Sequence, residues 1–193
     1  MRSFFVWVVG AALAVLLIAC GDDGGTGPTP TPVYFPMVKG NSWSYTDGEE
    51  PATLEITGKA RHANGKKVYE FYWTYSSGEK ADSGTEYGLQ NANALFWYPD
   101  LKGGAYYQVL KYPPKLGDSW LFDPFANVKA SYAVKESVTV PKGTFKDCFC
   151  AEIKGEGGAF QRVWFKPGVG FIQYKDSNGF QLKLVDYSVV SPL

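Results

Sequence analysis

The chain has 193 residues with 19 Lys plus Arg against 19 Asp plus Glu, and the resulting formal charge of zero argues against a surface built for nucleic acid or another polyanion. One histidine, His62, and three cysteines leave a His/Cys metal centre poorly provisioned, so no metal is expected. Aromatic residues make up 17% of the chain, with 22 Gly and 12 Pro, a mixture that fits short strands joined by many turns.

Met1-Arg2-Ser3 is a short positive start, and Phe4 to Ile18 is an apolar run broken only by Gly10. The run is shorter than the about 20 residues of a membrane-spanning helix and suits the apolar region of a signal peptide. It ends in Leu17-Ile18-Ala19-Cys20. This segment resembles the lipobox of bacterial lipoproteins. The resemblance implies cleavage between Ala19 and Cys20, diacylglycerol on the Cys20 thiol and an N-acyl chain such as palmitate on the new amine. Each buried methylene then holds the chain at the membrane by about 0.8 kcal/mol. An ordinary signal peptide, or a transmembrane helix with an incidental cysteine, is the alternative. Beyond the covalent lipid no cofactor is expected.

Residues 20–32 comprise the lipidated cysteine and a Gly/Pro/Thr tether without a large apolar side chain, which cannot join a core and is expected to be disordered. Gly21 follows the cysteine, where aspartate would favour inner-membrane retention. The expected location is therefore the cell envelope, on the outer membrane if the organism is diderm.

Residues 33–193 read as a single β-rich exported domain. Thr53–Thr57 and Lys67–Tyr75 form an expected hairpin, with Asn64-Gly65 as a type I′ turn signal and His62 in a solvated connection. In Lys67–Tyr75, Tyr69, Phe71, Trp73 and Tyr75 alternate with Val68, Glu70, Tyr72 and Thr74. Further strands are expected at 85–89, 95–98, 105–111, 128–140, 144–153, 160–165, 169–174 and 180–190. In the longest, Val128, Ala130, Tyr132, Val134, Val138 and Val140 are expected on one face. No stretch has a sustained 3.6-residue period. The expectation is an antiparallel all-β domain of about ten or eleven strands, a strongly curved sheet or half-open barrel, with a two-sheet sandwich as the alternative.

Pro36-Met37-Val38-Lys39-Gly40-Asn41-Ser42-Trp43 is echoed 77 residues later by Pro113-Pro114-Lys115-Leu116-Gly117-Asp118-Ser119-Trp120. Two quasi-repeats, 34–111 and 112–190, would explain the echo, and so would one local turn device used twice. Either way Trp43 and Trp120 start strands by packing into the core. Ligand stacking by Trp43, Trp73, Trp97 and Trp120 is the functional alternative.

Tyr34-Phe35-Pro36 with Gly40-Asn41-Ser42-Trp43-Ser44-Tyr45, Val140-Pro141-Lys142-Gly143-Thr144-Phe145 and Trp164-Phe165-Lys166-Pro167-Gly168-Val169-Gly170 resemble the turns of uncharacterised bacterial exported proteins of the DUF3108 or TapB-like kind. The resemblance implies a β-rich periplasmic or surface domain, distantly like half-barrel lipoprotein carriers. It transfers no catalytic residue.

No Gly-x-Ser-x-Gly elbow, paired catalytic carboxylates or phosphate-binding loop stands out, and an enzyme is not expected. Cys148 and Cys150, two apart on one strand, share a face near the outer limit for a disulfide. They read as buried thiols, with a strained redox bridge or an external bridge or metal as alternatives. The expected function is non-enzymatic binding of an envelope protein or small apolar ligand. A lipid or lipoprotein carrier, or a structural subunit of an envelope assembly, is the alternative.

Overall fold

A computed structural model describes residues 33–77, 80–155 and 160–190. The leader, Ala19, Cys20 and the tether lie outside the described residues. Among those described, the strands are β1 (Ser42–Thr46), β2 (Pro51–Arg61), β3 (Lys67–Ser77), β4 (Lys80–Gln90), β5 (Ala94–Tyr98), β6 (Tyr107–Lys111), β7 (Ser119–Asp123), β8 (Val128–Val140), β9 (Gly143–Lys154), β10 (Phe160–Lys166), β11 (Gly170–Asp176) and β12 (Gln181–Ser188). They form one antiparallel sheet in the order β6-β5-β4-β3-β2-β1-β12-β11-β10-β9-β8-β7. Two six-strand meanders are thus joined edge to edge through β1 and β12, and the sheet curls until it is nearly closed into a barrel. The curved-sheet expectation holds. The sandwich does not, and the strands number twelve because both Ser-Trp segments, Ser42–Thr46 and Ser119–Asp123, pair as strands of their own.

The two turns before β1 and β7 are bonded alike. Gly40 N–H bonds Ile56 O and Ile56 N–H bonds Asn41 O; Gly117 N–H bonds Tyr132 O and Tyr132 N–H bonds Asp118 O, all at 2.8–3.0 Å. Gly40 (φ 89°) and Gly117 (φ 80°) both occupy the left-handed region, which explains a glycine at each. Both long hairpins then carry a bulge, at Ile56/Gly58 and at Tyr132/Val134.

A second bulge, Glu136/Val138, interrupts β8 again. An extra residue resets the two-residue alternation. Val134 therefore lies 37% exposed although Ala130, Tyr132, Val138 and Val140 are buried, against the single apolar face expected of this strand. Asp147 (φ 58°) sits across from that bend.

Twelve strands enclose more space than ordinary side chains fill. Three devices fill it. Aromatic rings interlock inside: Phe71 meets Trp97 with centroids 4.6 Å apart, Trp120 meets Tyr132 at 4.7 Å, and Tyr107 stacks on Phe122 at 5.3 Å. The segment before β1 crosses one barrel end. Tyr34 O accepts from Gly168 N–H beyond β10, while Phe35 N–H and O both bond the Gln90 side chain at the end of β4. This strap drops Phe35, fully buried, between Trp43, Phe71 and Phe171. The β8–β9 tip also folds over that end. Lys142 N–H reaches Leu184 O on β12, three strands away from β9 in the sheet, and Phe145 packs on Tyr187.

Candidate functional site

Toward the opposite end the filling is incomplete. A cavity of about 80 Å³ remains between the inner faces of β1–β5 and β10–β12. Tyr45, Trp73, Trp97, Phe171 and Tyr174 supply its aromatic wall, and the surface is almost wholly carbon. Trp73 can lie flat because its cross-strand partner is Gly84; a Cβ there would meet the indole at 2.8 Å. Tyr45 is fixed by donating its hydroxyl to Phe171 O at 3.2 Å.

Glu86 also lines this cavity and is only 8% exposed. It faces inward because Phe71, its partner on β3, does so. Its carboxylate accepts from Trp97 Nε1–H at 2.5 Å. Burial holds the carboxyl above its ordinary pKa, and the indole donor opposes this only in part. No ion pair of the described residues involves Glu86. Tyr107 lies near enough to Asp123 and Glu86 that, after burial itself, their charges raise its phenol.

The four tryptophans singled out above divide. Trp73 and Trp97 line the cavity. Trp43, fully buried, donates to Val169 O at 2.7 Å, and Trp120 donates to Gln108 O at 2.6 Å. Those two are core residues with satisfied indoles, one at each strand start.

Cys148 and Cys150 are free and buried in the structure, away from the cavity lining. Burial pushes their thiols up to about 11 and about 12, so the reactive thiolate is scarce at neutral pH. Cys148 Sγ bonds Phe145 O at 3.3 Å.

His62 is not the solvated turn residue that its lysine-rich surroundings suggest. It is 4% exposed, with its ring 4.7 Å from that of Tyr98. The hairpin is pinned to the β5–β6 connection by Ala63 N–H to Leu101 O, which covers the imidazole. Nδ1 accepts from Asn64 N–H at 3.2 Å, the bond that Asp176 Oδ1 makes with Asn178 N–H in the last hairpin. The turn also differs from type I′. Asn64 keeps a negative φ and Gly65 alone is left-handed (φ 84°), a type I turn followed by a left-handed glycine.

Glu86 and Tyr174 were not singled out in the sequence as site residues. The signal present was Gly84-x-Glu86-x-Gly88, a strand that places two glycines and a carboxylate on one face. Among the described residues no group of three His, Cys, Asp or Glu is arranged to hold a metal, and no helix is long and apolar enough to cross a membrane.

The fold and cavity define the class as an antiparallel, nearly closed twelve-stranded barrel with one small aromatic chamber. No family model matches the chain, nor does any curated protein or solved structure. The likeness to DUF3108 or TapB-like proteins therefore rests on turn motifs alone.

Proposed function

We propose that this chain is a lipid-anchored, non-enzymatic binding protein of the bacterial envelope that takes a small ligand, or one compact group of a larger one, into the barrel cavity. The observation that carries the reading is the aromatic chamber left inside an otherwise filled barrel. The anchor reading rests on the lipobox-like Leu17-Ile18-Ala19-Cys20 and the Gly/Pro tether. The strap formed by Tyr34 and Phe35 lies at the barrel end away from the chamber. The absence of aspartate after Cys20 favours the outer membrane. A chamber of about 80 Å³ is below the about 300–1,000 Å³ of pockets for drug-sized ligands, which favours a small ligand over an acyl chain.

A second reading, a subunit of an envelope assembly, is favoured by apolar exposure around edge strand β7. Leu116, Leu121 and Phe125 are 51%, 39% and 38% exposed. Crosslinking in membranes followed by pull-down tests it; recovery of the monomer alone removes it.

Two measurements test the main reading. Palmitate labelling of cells is expected to mark the wild type and not Cys20→Ala; an unlabelled wild type overturns the anchor. Melting the full chain in detergent with increasing neopentyl alcohol is expected to raise Tm, because a ligand bound only by the folded state stabilises it. A flat Tm both here and with a cation of the same shape overturns small-ligand binding.

A further inference from the structure

We propose that the chamber is a site for a methylated ammonium group, recognised by the aromatic wall around Tyr45, Trp73, Trp97 and Tyr174 with Glu86 as the buried counter-ion. The inference rests on the small-ligand reading above and adds the chemical class of the ligand.

Three observations converge on that class. The first is the wall. Ring faces attract cations through their quadrupole, most strongly where water is excluded, and cages of this composition suit quaternary ammonium groups. Four aromatic residues from β1, β3, β5 and β11 and Phe171 surround one small space. Gly84 fixes the Trp73 indole against β4, so the cage is preformed.

The second is the charge. Glu86 is a buried carboxyl with no cationic partner among the ion pairs of the described residues. Its carboxylate accepts from the neutral Trp97 N–H, which belongs to a residue of the cage wall. An unpaired buried carboxylate is costly, and a cation beside it removes much of that cost.

The third separates the kinds of cation. The cavity surface offers almost no polar atom. A primary ammonium brings three N–H donors that would be left unbonded there, at the expense of its hydration. A quaternary or trimethylated nitrogen brings none. Its methyl groups meet carbon, and its charge acts on Glu86 through a low-dielectric wall without direct hydrogen bonding. The volume of about 80 Å³ admits such a head group and leaves any longer chain outside.

The test uses the full chain in a non-ionic detergent free of choline groups, titrated with tetramethylammonium, ammonium and neopentyl alcohol, with tryptophan fluorescence and calorimetry as readouts. Tetramethylammonium is expected to bind at least about tenfold more tightly than neopentyl alcohol, its neutral counterpart in shape, and ammonium to show no saturable binding. Glu86→Gln, which keeps an acceptor for Trp97, is expected to lose about tenfold in tetramethylammonium affinity and with it the preference for the cation over the alcohol. Equal affinity of the cation and the alcohol for the wild type overturns the inference and leaves the small-ligand reading standing. Binding of neither overturns both. The wild-type comparison decides the matter without the variant, should Glu86→Gln fail to fold.

Discussion

Single residues in this barrel are constrained by what the interior does to charge. Glu86 is the clearest case. Its folded carboxyl holds a proton more readily than the ordinary value of 4.5, chiefly because burial disfavours the anion. The folded state therefore binds more protons than the unfolded chain. This contribution to stability is complete below the unfolded value and is lost as pH rises through the folded one. Denaturant melts of wild type and Glu86→Gln from pH 4 to 8 should show the variant gaining on the wild type as pH rises, without a bound cation. A constant difference would contradict the buried-carboxyl account. The exposed Asp147 and Asp186, lowered by Lys135 and Lys142, titrate in both proteins and cancel in the difference. The cysteines give a second prediction. With burial raising both thiols, Cys148 and Cys150 should react with a disulfide reagent at pH 8 only after denaturation. Prompt labelling of the native Cys20→Ala chain would contradict their burial.

Individual elements show how one sequence device yields different energetics in the two halves. Asn41 is 1% exposed and makes three bonds. It donates to Pro36 O and Val190 O and accepts from Val190 N–H. It ties the strap and the chain beyond β12 to β1. Asp118, its counterpart, instead pairs with Lys111 at 3.1 Å, with both side chains about a third exposed. The reason is legible: the residue 77 before Val190 is Pro113, which has no N–H to offer. Asn41→Ala removes three hydrogen bonds and leaves the buried Pro36 O without its donor, and should cost about 2–4 kcal/mol. Asp118→Ala removes a partly exposed pair and should cost less than about 1 kcal/mol. Urea melts of both variants check the contrast, and similar losses would contradict it. The β8–β9 hairpin is the other divergence. Its two bulges bend it over the barrel end, a course that no alternation of Val and polar residues announces.

The whole molecule is closed unequally on its two sides. β1 and β12 share a ladder. β6 and β7, the last strand of one meander and the first of the other, share none and end the sheet. Side chains bridge that seam. Trp120 Nε1–H bonds Gln108 O, Lys111 N–H bonds the Tyr132 hydroxyl at 3.1 Å, and that hydroxyl donates back to Lys111 O at 2.6 Å. Hydrogen exchange should therefore be faster for β7 amides than for β1 amides. Equal protection of the two strands would contradict an open seam. Trp120→Phe, which deletes one bridge and leaves Gln108 O short of its donor, should destabilise by about 1–3 kcal/mol in the same melts.

The sequence by itself determined the strand content, because side-chain alternation and turn residues are local properties written residue by residue. It determined the antiparallel order as well, since short connections leave neighbours little choice but to pair. It also marked Leu17-Ile18-Ala19-Cys20, whose chemistry depends on a linear motif. Tertiary structure alone decided which aromatics are core and which are wall: Trp43 and Trp97 look alike in sequence, and only the curl of the sheet places one under the strap and the other beside Glu86. It decided that His62 is buried, because Leu101 O, 38 residues on, holds the neighbouring Ala63 N–H and the Tyr98 ring lies against the imidazole. Burial, seam and chamber are products of closure, and closure is a property of the whole sheet that no window of the chain contains.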